Sequence, residues 1–210
     1  MKPSSSKVVP LAPAPAPLVI VLSGPSGAGK DAVLSAMKAR SLPLAFIVTN
    51  TTRPQRPGEV DNMHYHFVSQ QEFKRLVDGR ELLEHAEVYG HFYGVPRAPV
   101  RQALAQGKDV IIKVDVQGAM TIKKNLNGAV LTFLMPPSLE ELAQRLKGRN
   151  TESLEDLEIR LDTARSEIDR LPHFDYLVMS YQDRIEQAVS DIEAIIRAEK
   201  LRVTHREYSL

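Results

Sequence analysis

Apolar residues in this chain fall into two patterns, short unbroken runs and longer stretches with helical spacing. The run LVIVL at residues 18–22 is continuous and β-branched, which predicts a strand buried on both faces within a parallel sheet. Further strands are predicted at 45–49, at 110–116 (VIIKVDV, after the turn signal Gln106-Gly107-Lys108-Asp109), at 129–134 and at 176–179. Ala32, Val33 and Met37 recur with helical spacing directly after the first strand. Helices are predicted over 69–78, 99–106, 139–147, 154–171 and 184–199. The last carries Ile185, Val189, Ile192 and Ile196 as a stripe best read as core packing. Strands alternating with helices, with no internal repeat, imply an α/β fold around a parallel sheet.

Composition narrows the class without naming a function. The 210 residues are 43% hydrophobic and 25% charged, which excludes collagen, coiled coil and wholesale disorder and suffices for one large domain. Pro3, Pro10, Pro13, Pro15 and Pro17 crowd the start, so residues 1–17 are expected to form a disordered or polyproline-like tail outside the working protein. Lys7 ahead of an apolar run imitates a signal peptide, but proline at every second position from Pro13 to Pro17 breaks the helical segment such a signal needs. No apolar stretch approaches the roughly 18 residues of a membrane span. The expectation is a soluble, cytoplasmic protein with no membrane partner. Cysteine is absent, which excludes disulfides, thiolate zinc sites and thiol nucleophiles. The formal charge of +1 argues against gripping nucleic acid by bulk charge, so any charge-based function is local.

Candidate chemistry begins right after the first strand. Gly24-Pro25-Ser26-Gly27-Ala28-Gly29-Lys30-Asp31 matches G-x-x-x-x-G-K between an apolar strand and a helix. Glycines let backbone N–H groups curl around phosphate, the helix directs its positive end there, and Lys30 adds a mobile cation. This predicts a nucleoside triphosphate site. The following position normally offers a hydroxyl to Mg²⁺, and here it is Asp31, a hard oxygen ligand that also brings negative charge beside the phosphates. The other reading of Asp31 is a loop that has lost catalysis. A second block, Thr51-Thr52-Arg53-Pro54-Gln55-Arg56-Pro57-Gly58-Glu59 with Tyr65 beyond it, sets two arginines three apart in a punctuated loop suited to bidentate phosphate binding. Taken alone, such a loop is more often solvated surface. His64, His66, His85 and His91 cluster in sequence, but without a ligand set of metal spacing.

The phosphate loop, TTRPQRPGE with Tyr65, LLEHAEVYGHFYG, VDVQGA, and PPSLEELAQRLKGR followed by RL occur in that order and resemble the guanylate kinase family from Leu18 to the C-terminus. The resemblance implies a P-loop kinase core with a parallel sheet, an inserted small α+β domain that binds GMP, and a helical lid. It implies a core of residues 18–48, 98–137 and 172–210, an inserted domain of 49–97 and a lid of 138–171. It implies transfer of the γ-phosphoryl group from ATP, with Mg²⁺, to GMP and also to dGMP; the sequence leaves the oligomeric state open between monomer and homodimer. Residue by residue, it implies that Gly24, Pro25, Ser26, Gly27, Ala28, Gly29, Lys30 and Asp31 hold ATP, with Asp31 toward the metal. It assigns the GMP phosphate to Arg53, Arg56, Tyr65 and Tyr93, and the guanine to Thr49, Glu84 and Asp115. A carboxylate at Glu84 suits guanine, whose N1–H and 2-amino group both donate, and not adenine. Arg145 and Arg149 share a helical face, and with Arg160 they are implied to meet the ATP phosphates and the transition-state charge.

The chain departs from the family pattern at four places. Lys113 stands where an acidic residue is usual, two before Asp115. Together with Asp31 this reads as a charge swap in which Lys113 pairs with Asp31; the competing reading makes Lys113 an unrelated exposed edge residue. Val95 replaces a small hydroxyl that bonds guanine, and Ser180 replaces an asparagine near adenine. Two rival functions remain open on sequence alone. A ribose bisphosphate phosphokinase also tolerates Asp after the loop lysine but lacks the intact arginine block, and a guanylate-kinase-like protein-binding module would not need Lys30.

Overall fold

The computed structural model describes residues 15–147, 154–204 and 206. β1 (Val19–Ser23) lies at the centre of a five-stranded sheet with β2 (Leu44–Ile47), β7 (Asp109–Lys113), β8 (Val130–Met135) and β9 (Tyr176–Met179), in the order β2-β7-β1-β8-β9 and parallel throughout. β1 is buried along its whole length, as its unbroken apolar run requires. Its alternate side chains feed two cores. Val19 and Val21 join Val110, Ile112, Leu131 and Ile122 on one face, while Ile20 and Leu22 join Val33, Met37, Val189 and Ile192 on the other. Those helical residues come from α1 (Lys30–Ala39), α4 (Val116–Asn125) and α7 (Ile185–Lys200). Each fully buried Ile or Leu contributes about 1.5–3 kcal/mol.

A second sheet is built from residues between β2 and α3 (Arg97–Ala105). Its strands are β3 (Asn50–Thr51), β4 (His66–Phe67), β5 (Leu82–Val88) and β6 (His91–Pro96), in the order β4-β3-β6-β5, with α2 (Gln70–Asp78) packed on it through Phe73. β5 and β6 form a hairpin whose two turn residues, Tyr89 and Gly90, have φ of 50° and 75°, the signs of a type I′ turn. A bulge between Leu82 and Glu84 inserts Leu83 into the core and turns Glu84 toward the main sheet's carboxyl edge. α5 (Leu139–Lys147) and α6 (Leu154–Ile168) pack together through Leu142, Leu146, Leu157 and Ala164. A short 3₁₀ turn, Leu171–His173, then leads to β9.

The strands and helices read from the sequence are present, with ends shifted by a few residues, and one reading is corrected. The predicted strand 110–116 stops at Lys113, and Val116 already belongs to α4. Asp115 is the N-cap of that helix, its side chain accepting from the Gly118 N–H at 2.9 Å, so the chain turns where the apolar run suggested it would continue. Most of the proposed tail, residues 1–14, lies outside the described residues, whereas the Ala16 carbonyl accepts from Lys200 at 3.0 Å. Among the described residues no helix is long and apolar enough to cross a membrane.

Candidate active site

At the carboxyl edge of the main sheet, where β1 is flanked by β7 and β8, lies a cleft of about 400 Å³. The loop after β1 forms one wall. Gly29, with φ of 94°, is the N-cap of α1 and offers no side chain to its first turn, so those backbone N–H groups remain open to an anion. Gly24 has φ of 137° and no room for a side chain, since a Cβ there would come within 2.1 Å of the Leu134 carbonyl oxygen. Lys30 folds back, donating to the Gly24 and Pro25 carbonyls at 2.5 and 3.0 Å. Burial lowers its pKa, against the opposing pull of Glu167 and Asp31.

The second sheet forms the facing wall. Arg53 is buried, donating to Glu59 at 2.7 Å and to the Pro54 carbonyl at 2.6 Å, while the Arg56 N–H donates to the other Glu59 oxygen at 2.8 Å. Glu59 therefore ties the two arginines into one loop, and despite partial burial its pKa is lowered by Arg53 and Arg56. Tyr65 stacks edge-on near Tyr93 with ring centroids 6.0 Å apart, and the Arg53 guanidinium lies 5.4 Å from the Tyr65 ring. Deeper in, Glu84 is buried and its Oε2 has no hydrogen-bond partner. Burial first, and then Asp115, push its carboxyl up to about 8. Gly118 makes room for it: a Cβ there would lie 2.8 Å from Glu84 Oε2. A buried, unpaired acceptor facing a cleft is costly unless a ligand donates to it.

Gly24, Ser26, Gly27, Ala28, Gly29, Lys30 and Asp31 line this cleft together with Thr49, Arg53, Arg56, Tyr65, Glu84, Tyr93, Asp115 and Arg160. The sequence motifs, dispersed over more than a hundred residues, thus converge on one cavity. Arg145 lies outside that lining. It reaches the back of the loop, donating to the Ala28 carbonyl at 3.3 Å and the Ser180 carbonyl at 2.6 Å, and pairs with Glu141. Arg149 falls outside the described residues. Lys113 borders the cleft as a partner of Asp31 at 2.6 Å, not as an exposed edge residue.

Sequence similarity now decides the family. The guanylate kinase family profile matches residues 17–199. The chain belongs to the guanylate kinase family. It is 43% identical over 202 residues to guanylate kinase 2, chloroplastic/mitochondrial, of Oryza sativa subsp. japonica, covering 96% of this chain and 71% of that protein. It is 40% identical over 191 residues to the guanylate kinase of Carboxydothermus hydrogenoformans, covering 91% and 93%. The crystal structure of guanylate kinase from Anaplasma phagocytophilum superposes with a TM-score of 0.73 at 33% identity, covering 90% of this chain and 89% of that one. Members are nucleoside monophosphate kinases, which accounts for a cleft with a phosphate loop on one wall and an arginine loop on the other.

Two further residues of this guanylate kinase fold border the cleft without having been singled out from sequence. Glu59 closes the TTRPQRPGE motif, and its spacing to Arg56 was the available signal. Glu167, on α6, also lines the cleft. Burial pushes its carboxyl up to about 7, reinforced by Asp115 and opposed by the Lys30 ammonium and the nearby Ser26 backbone. No sequence pattern marks it; only the folding of α6 over the loop brings it there. Val95 is fully buried in the core beside Leu83, paired in register with Glu84. Ser180 is buried at the back of the loop, its Oγ 2.9 Å from where a Gly29 Cβ would stand. His64 and His66 serve their own loop, His64 accepting from the Val60 N–H at 2.9 Å and His66 meeting Asn62 at 2.6 Å.

Proposed function

We propose that this chain transfers the γ-phosphoryl group of ATP to GMP, giving ADP and GDP, and accepts dGMP as well. The observation that carries this reading is the unpartnered Glu84 oxygen in the same cleft as the open N–H groups of the phosphate loop. Glu84 is the guanine selector. Ionised, it accepts from N1–H and the 2-amino group; adenine presents an acceptor and no amino group at those places and leaves the carboxylate unpaired. Thr49 and Asp115 flank it. Arg53 and Arg56, held by Glu59, with Tyr65 and Tyr93, bind the GMP phosphate and orient its oxygen toward the donor.

On the donor side, the residues from Gly24 to Asp31 cradle the ATP phosphates. Lys30 leaves its two carbonyl partners for the phosphate oxygens, and its burial strengthens that interaction. Arg160 comes from the lid toward the transferring group. Arg145 and Arg149 are assigned to the same charge, with Arg145 moving from the back of the loop as the lid closes. The acceptor is an ionised phosphate, so no general base is required.

The donor set fits magnesium in the manner of kinases, with one protein carboxylate and the remainder from nucleotide phosphates and water. Among the described residues no cluster of three or more His, Asp or Glu is built for a metal, and Asp31, 66% exposed on its side chain, is the carboxylate at the loop. Asp31 would hold Mg²⁺, which when bound with ATP neutralises the β- and γ-phosphates. We place the protein in the cytoplasm, with ATP and GMP as its partners. The deciding assay is ADP formation from MgATP with GMP, dGMP, AMP or ribose bisphosphate as acceptor. Turnover with GMP and dGMP is expected; turnover with ribose bisphosphate alone, or none, contradicts the assignment.

A further inference from the structure

Two positions depart together from the family pattern, and the fold sets them in contact. β7 runs parallel to β1 with Lys113 opposite Leu22, so the lysine leaves the sheet at the level of the phosphate loop. Its Nζ donates to Asp31 Oδ1 at 2.6 Å and to the Tyr65 hydroxyl at 2.8 Å, and lies 4.1 Å from the Tyr65 ring centroid. Asp31 belongs to the first turn of α1, on the donor wall. Tyr65 belongs to the acceptor wall, where its ring also lies against the Arg53 guanidinium. The Lys113 side chain is only 13% exposed, so its charge is poorly screened and its two oxygen partners matter to one another.

We propose that Lys113 couples the two substrate sites, one ammonium shared between the donor-loop carboxylate of Asp31 and the acceptor-site phenol of Tyr65. This rests on the reading of the cleft as an ATP and GMP site. Lys113 touches no reacting atom in this arrangement and is a positioning residue. The Asp31 carboxylate draws the ammonium's charge toward the donor wall. An anionic phosphate arriving beside Tyr65 draws it back. Acceptor binding therefore loosens Asp31 from Lys113 and makes that carboxylate available on the donor side, and by linkage a neutralised Asp31 strengthens acceptor binding by the same factor.

The test is calorimetric titration of GMP into the full chain without ATP, which reads binding and not turnover. Asp31→Asn is expected to tighten GMP binding about fivefold when residue 113 is Lys, and equally in the Lys113→Arg background, which keeps the cation. In Lys113→Met the effect of Asp31→Asn is expected to shrink below about twofold, the limit of additivity. Should Lys113→Met not fold, Tyr65→Phe serves in its place: it removes the acceptor-side link and is expected to shrink the effect in the same way. An Asp31→Asn effect of equal size in all backgrounds, or none with Lys113 present, overturns the coupling while leaving the GMP site intact. Failure of the unaltered chain to bind GMP overturns the functional reading, and the coupling with it.

Discussion

Glu84 and Glu199 are almost equally hidden from water, 4% and 2% exposed, yet their surroundings treat them in opposite ways. Glu199, near the end of α7, lies where β8 and β9 begin. It accepts from the Tyr176 hydroxyl at 2.7 Å and from Arg206 at 2.8 Å through both Nε and Nη2, and the guanidinium holds its pKa below the usual carboxylate range. Glu84, in the cleft at the other edge of the sheet, has one oxygen with no partner and a neighbouring acid in Asp115, and its carboxyl rises to about 8. A buried carboxylate whose partners come from its own chain ties the structure together. One whose partners are missing is set for a ligand that brings donors. On the proposed function, fold stability and substrate recognition separate at two residues of the same type.

The largest effect is expected at Glu84. On the proposed function, Glu84→Gln removes two charge-assisted acceptances from guanine, each worth about 1.5–3 kcal/mol, so kcat/KM for GMP should fall about a hundredfold or more in the coupled ADP assay. The same substitution should raise the melting temperature at pH 9. The folded pKa of Glu84 exceeds its unfolded value, so its contribution to stability is full below the unfolded pKa and is lost as pH rises through about 8. An amide does not ionise and escapes that loss. A variant that loses activity and stability together would contradict a ligand role for Glu84.

Glu199→Gln should do the reverse, destabilising the fold by about 3 kcal/mol because Arg206 loses its buried counter-charge. Activity per folded molecule should not change. The folded pKa of Glu199 is depressed, so this stabilisation is present above the ordinary carboxylate range and lost as pH falls through the folded value. Chemical denaturation of both proteins across acid pH checks it, with the difference between them closing on acidification. Smaller again is Gly118→Ala, whose methyl would press on Glu84 Oε2. KM for GMP should rise about tenfold, a misplacement effect, while KM for ATP stays within about twofold.

The asymmetry between these regions also explains what the sequence revealed. β1, the phosphate loop and α1 were legible because local pattern and local chemistry coincide there. The Lys113–Asp31 pair was legible as one of two readings, since neighbouring parallel strands bring their carboxyl ends together. The start of α4 was hidden, because VDV continues an apolar run and only the cap geometry of Asp115 shows that the strand has ended. The β5–β6 hairpin was hidden because its type I′ turn uses Tyr89-Gly90, and tyrosine seldom adopts the positive φ that asparagine or aspartate tolerates there. Glu167 and Glu199 stand in helical segments that carry no motif; their burial comes from contacts with segments distant in the chain, which no local spacing encodes. The ties made by Arg145 on the back of the loop arise in the same way.

On the proposed function, Glu84 waits as a buried, largely protonated acid, its carboxyl raised to about 8, and ionises when guanine arrives. Its direct test is the proton balance of GMP binding at pH 7, measured by calorimetry in buffers of different ionisation enthalpy, with Glu84→Gln as the reference. About one proton released per GMP is expected, absent in the reference, together with affinity that improves about tenfold from pH 6.5 to pH 7.5 and levels off above pH 8. Binding that exchanges no proton and keeps the same affinity across that range would contradict it.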